Sequence, residues 1–141
     1  MTEKPFDFWQ DHSDQFLEMA FRADRLERLA APDGHGKNTG DCGDTIEMFV
    51  TVDSERITTL TFDIDGCIHT RACANTVAHL VEGKPIQQAW ELTAEHIAEF
   101  LQTLPEDSYH CAELAVGALY RALRNYQTLQ RDSWKKAYLN R

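Results

Sequence analysis

Apolar residues recur at three- and four-residue spacing through the first thirty positions: Phe6, Trp9, Phe16, Leu17, Ala20, Phe21, Leu26 and Leu29, with Asp, Glu and Arg between them. That period predicts an amphipathic helix over 6–30. Pro32-Asp-Gly-His-Gly ends it, since proline and glycine both oppose helix continuation. Residues 31–43 (APDGHGKNTGDCG) hold four of the seven glycines and read as a loop. The period then changes to two. Ile46, Met48, Val50 and Val52 alternate with Glu47, Phe49 and Thr51, and Leu60, Phe62 and Ile64 alternate with Thr59, Thr61, Asp63 and Asp65. Two β-branched strands joined by Asp53-Ser54-Glu55 predict an antiparallel hairpin.

From Cys67 the helical period returns. Ile68, Ala72, Val77, Leu80 and Val81 suit a helix to about Glu82, stopped by Gly83-Lys84-Pro85. Two short helices are expected over 86–91 and 93–103, the second N-capped by Thr93. Leu104-Pro105-Glu106-Asp107-Ser108 breaks the chain. A strong helix follows from Tyr109 to Tyr126 on the stripe Leu114, Ala115, Ala118, Ala122 and Leu123, then a weaker one over 129–139. The expected fold class is α+β: a small antiparallel sheet packed against helices in a single compact domain over 1–141. Within it, 1–30 would be an N-terminal helix and 127–141 a C-terminal one.

At 141 residues the chain suits one domain with an ordinary core. Its 14 Lys and Arg against 23 Asp and Glu leave a net charge of −9. That balance gives no footprint for nucleic acid, whose affinity comes from neutralised phosphates, and argues against anionic membrane surfaces. No apolar run is long enough to span a bilayer, and the acidic, aromatic N-terminus is unlike a secretion signal. The expected location is therefore cytoplasmic, where thiols stay reduced and four cysteines read as fillers, metal ligands or nucleophiles.

Three of those cysteines fall at element junctions. Cys42 lies in the glycine-rich loop, Cys67 at a strand-to-helix junction, and Cys111 in the first turn of the long helix. Free N–H groups at a helix start favour negative charge and draw a thiol toward thiolate, the form that binds metal or attacks sulfur. Asp44 follows Cys42 by two residues and His110 directly precedes Cys111. Three thiolates with a carboxylate and an imidazole suit an iron–sulfur cluster or tetrahedral zinc. Four thiolates are the usual permanent cluster arrangement; three with a weaker ligand suit a cluster that must leave. The spacings of 24 and 43 intervening residues do not form a zinc ribbon. Cys73, inside a helix, reads as a packed or spare thiol.

Gly40-Asp41-Cys42-Gly43-Asp44, Gly66-Cys67-Ile68 and His110-Cys111 resemble the three signature stretches of iron–sulfur cluster scaffold proteins of the IscU type, equivalently the N-terminal domain of NifU. Val81-Glu82-Gly83-Lys84-Pro85-Ile86 resembles the turn that follows the family's second cysteine, and the likeness covers 38–126. The resemblance implies an α+β scaffold, not an enzyme. It would accept sulfur from a cysteine desulfurase, bind iron, assemble a 2Fe–2S or 4Fe–4S cluster and pass it to apo-proteins. By motif position Cys42, Asp44, Cys67, His110 and Cys111 would be the cluster or metal ligands, with Cys111 the persulfide-forming sulfur acceptor. A cluster bridged between two chains would make a homodimer.

Three departures stand out. Leu104-Pro105-Glu106-Asp107-Ser108 replaces the Leu-Pro-Pro-Val-Lys segment of relatives served by an Hsp70-type chaperone, which puts that partner in doubt. The loop before Cys42 is short enough that a first edge strand is expected to be missing. His69-Thr70-Arg71-Ala72-Cys73 stands where relatives tend to have small residues.

Persulfide transfer needs an exposed, readily ionised thiol, and Cys111 beside His110 is expected to supply it while Asp44 tunes lability. The chief rival is a zinc-bound sulfur-transfer protein using the same ligands. A hydrolytic enzyme lacks its motifs here: there is no His-Glu-x-x-His and no Gly-x-Ser-x-Gly. A plain interaction domain with incidental cysteines is the third reading. His12, His79 and His96 read as ordinary core or surface residues, whereas His35 and His69 lie near the ligand loops.

Overall fold

Strands β2 (Thr45–Asp53) and β3 (Arg56–Asp65) form the expected hairpin. Asp53 faces Arg56 across a two-residue turn in which Ser54 (φ 51°) and Glu55 (φ 63°) are both left-handed. That pattern matches the right-handed twist of the strands it joins. Ile46, Met48, Val50, Leu60 and Phe62 point to one face and are fully buried, as the alternation requires. A register shift between Thr51 and Val52 reverses the parity and brings Ile57 into the same core.

The structure, a computed structural model, describes residues 11–139, with side chains to residue 133. Positions 6–10 of the expected first helix, Trp9 among them, lie outside this range. Within the described residues the helix of this stretch, α1, spans Asp14–Phe21 and starts at Ser13, whose hydroxyl accepts the Phe16 N–H. It ends early because Asn75 donates to the carbonyls of Met19 (2.7 Å) and Arg22 (2.9 Å). The chain then runs extended along β3: Phe62 N–H donates to Arg25 O, Glu27 N–H to Phe62 O, and Arg25 pairs bidentately with Glu82. Leu26 thus covers a sheet edge rather than continuing a helical stripe.

The expected loop over 31–43 also needs correction. Gly34–Thr39 is a strand, β1, antiparallel to β2, so the sheet order is β1-β2-β3 and the first edge strand is present. Its inward positions are Gly34 and Gly36, where a Cβ on Gly36 would fall 2.3 Å from the Ala122 nitrogen. The strand carries no apolar alternation because a helix backbone occupies the space its side chains would fill.

Helices α2 (Ile68–Val81), α3 (Ile86–Ala89) and α4 (Ala94–Leu101) lie where expected, the first ended by Gly83 at φ 81°. Thr93 caps α4, and His96 completes the cap by accepting the Thr93 N–H. The two expected C-terminal helices are one, α5 (Tyr109–Leu139), since no glycine or proline interrupts 126–129. It packs across β1 and β2. The result is the expected α+β layer, a three-stranded antiparallel sheet covered by helices. Among the described residues no helix is long and apolar enough to cross a membrane.

Candidate metal centre

One end of the sheet brings three chain segments together. The β1–β2 connection turns tightly, with Gly40 N–H on Asp44 O, Gly43 N–H on Gly40 O, and Gly43 at φ 89°. This turn exposes Cys42 and leaves Asp44 half-buried at the start of β2. At the end of β3, Cys67 is the N-cap of α2 and is exposed. Cys111 is the third residue of α5 and is buried, with 1% of its surface accessible. The ligating atoms of Asp44, Cys67 and Cys111 all lie within 4.8 Å of one another, a separation that one metal ion bridges.

Cys42 and His110 stand beside this trio. Both line an adjoining cavity of about 480 Å³, and His110 Nε2 is 3.7 Å from Cys111 Sγ. Among the described residues, the tight set comprises an acid and two thiols; the third thiol and the imidazole border it. His69 Nδ1 lies 3.8 Å from Cys67 Sγ and 3.3 Å from Ser108 Oγ. His35 lies elsewhere, stacked on Phe49 on the outer face of the sheet.

The two helix-start thiols titrate oppositely. Burial pushes the Cys67 thiol up, but hydrogen bonds led by the Thr70 backbone N–H, with the His69 backbone N–H beside it, outweigh it, so its pKa falls. Burial pushes Cys111 up to about 11, and nearby Cys67, Asp44 and Cys42 add to it. The expectation of an exposed, readily ionised Cys111 therefore fails in this structure: desolvation outweighs its place at a helix start. Cys73 is fully buried and its thiol is pushed well above the ordinary range by that burial, in keeping with a packed thiol.

Sequence reasoning missed Thr70. Its hydroxyl donates to Asp44 Oδ2 at 2.7 Å and lies 3.6 Å from each of the Cys67 and Cys111 sulfurs. The available signal was its spacing, three residues after Cys67, which sets both on one face of a helix.

Comparison with known proteins identifies the family. The chain is 34% identical over 85 residues to the iron–sulfur cluster assembly scaffold protein IscU 1 of Archaeoglobus fulgidus, covering 60% of this chain and 56% of that protein. It is 28% identical over 127 residues to the nitrogen fixation protein NifU of a Nostoc species, covering 83% of this chain and 42% of that one. The chain thus spans about half the length of these curated relatives. A NifU-like N-terminal structure from Brucella abortus superposes with a TM-score of 0.67 at 15% identity, over 82% of this chain and 94% of that one, a likeness of fold. The family model described as the NifU-like N-terminal domain matches residues 26–133, which is most of the chain. The chain belongs to the NifU-like N-terminal domain family.

Proposed function

We propose that this protein is an iron–sulfur cluster assembly scaffold that accepts sulfur from a cysteine desulfurase, binds iron, and passes the assembled cluster to apo-proteins. The observation that carries this reading is the convergence of Asp44, Cys67 and Cys111 within 4.8 Å at one end of the sheet. Cys42 and His110 lie alongside as further donors. The donor set fits the cargo. Thiolates select iron–sulfur clusters, while a carboxylate or imidazole near solvent exchanges more readily than a fourth buried thiolate. The protein acts as a carrier: the cluster is what it delivers.

Within this reading Cys67 is where sulfur enters. A persulfide forms when a thiolate attacks the outer sulfur of the desulfurase persulfide, and the desulfurase thiolate leaves. Cys67 is exposed and its pKa is lowered, whereas Cys111 is buried and holds its proton. Cys111, the acceptor that the family resemblance implies, then joins as a ligand once iron displaces its proton.

The test is anaerobic reconstitution with ferrous iron, cysteine and a desulfurase, followed by iron and acid-labile sulfide analysis. Bound iron with sulfide is expected in the wild type, with loss in Cys42→Ala, Cys67→Ala and Cys111→Ala. Stoichiometric zinc with no iron or sulfide uptake would overturn the scaffold reading. Persulfide mapping by mass spectrometry is expected to find the first sulfur on Cys67. First appearance on Cys111 would overturn that order of events alone.

A further inference from the structure

Thr70 is fully buried in the first turn of α2, yet its hydroxyl serves the site rather than the helix. Six residues later Thr76 shows the usual alternative, its hydroxyl donating to the Ala72 carbonyl at 2.7 Å, one turn back. Thr70 instead donates to Asp44 Oδ2 at 2.7 Å, with two cysteine sulfurs at 3.6 Å. A hydroxyl has one proton to give. The short bond to a charged carboxylate is stronger than a bond to sulfur at the longer distance, so Asp44 takes it.

Gly66 makes the pairing fit. A Cβ there would lie 3.0 Å from the Asp44 carboxyl and 3.0 Å from Thr70 Oγ1. The absence of a side chain leaves the room in which acid and hydroxyl meet. Thr70 therefore engages one carboxylate oxygen and leaves Oδ1 for an ion.

We propose that Thr70 is a positioning residue whose hydroxyl anchors the Asp44 carboxylate between the Cys67 and Cys111 sulfurs, setting the single hard donor before cargo arrives. This rests on the metal-centre reading above. Partners that orient a metal ligand typically contribute about 10–100-fold in metal affinity.

Zinc ion serves as the probe, because it accepts thiolate, imidazole and carboxylate donors alike. Affinity is read by competition with a chromophoric chelator. Thr70→Val keeps the shape and removes the donor, and is expected to weaken zinc binding about tenfold. Thr70→Ala should do the same, so that the result does not hinge on how valine packs, and Thr70→Ser should restore wild-type affinity. Asp44→Ala should also weaken binding, and adding Thr70→Val to it should cost nothing further, because Thr70 acts through Asp44. Wild-type affinity in both donor-less variants, or an undiminished effect in the Asp44→Ala background, would overturn the proposal. An Asp44→Ala protein that binds zinc like wild type would overturn the metal-centre reading itself.

Discussion

Cys67 and Cys111 both stand at a helix start, yet their thiols move in opposite directions. The field of a helix N-terminus lowers a thiol pKa, but burial in low dielectric raises it by more. Residue type and position were legible: of the residues in Cys-Gly-Asp, Gly-Cys and His-Cys, the fold brings Asp44, Cys67 and Cys111 within 4.8 Å, with Cys42 and His110 alongside. Burial was not, because it depends on what the long helix packs against. With a pKa near 11, Cys111 is ionised to about one part in a thousand at pH 8. Iodoacetamide at neutral pH should therefore label Cys67 at least about ten times faster than Cys111, with fully buried Cys73 last. As pH rises the Cys67 rate should level off first, while the Cys111 rate keeps climbing toward pH 11. Peptide mapping over a time course checks this, and equal rates at Cys67 and Cys111 would refute the burial argument.

At the scale of elements, legibility followed how the buried face is filled. β2 and β3 bury Ile, Met, Val, Leu and Phe at alternate positions, so period two announces them. β1 buries Gly34 and Gly36, and the same alternation is there with nothing to mark it. A stretch that read as a loop is a strand because α5 lies directly on its backbone. The first helix failed for a different reason: Leu26 keeps the apolar spacing but covers the edge of β3, and spacing alone cannot tell a helical stripe from an edge cover. The close approach of β1 and α5 is testable. In Gly36→Ala the methyl group would sit 2.3 Å from the Ala122 nitrogen and 2.6 Å from Arg121 backbone carbon. Neither atom belongs to a flexible side chain, so strand and helix must separate. Urea denaturation should show a loss of about 1–3 kcal/mol, the range for overpacking a close-packed interior. Unchanged stability would mean that the strand–helix contact gives way freely.

At the scale of the molecule, the start of the described chain is tied to a segment some ninety residues away. Ser13 Oγ donates to Leu101 O at 2.6 Å, Ser13 N–H donates to Thr103 Oγ1, and His12 Nδ1 lies 2.9 Å from the same Thr103 oxygen. His12 stacks on Phe16, whose ring also meets His69 next to Cys67, so this junction adjoins the metal centre. Such long-range ties leave no mark in local spacing, which is why His12 read as an ordinary histidine. Its pKa is lowered below 6.5 by burial first and by the nearby His69 charge second, against the Thr103 bond and Asp11, which raise it. The folded state then binds that proton less tightly than the unfolded chain. His12's contribution to stability is complete above about pH 6.5. It declines as pH falls through the unfolded value toward the lower folded one. His12→Gln keeps a polar group within reach of Thr103 and removes the titration. The thermal midpoint of the wild type should fall more steeply than that of His12→Gln between pH 7 and 5.5, before ordinary carboxylates protonate. Parallel decline in the two proteins would show that the His12 junction carries no proton linkage to folding.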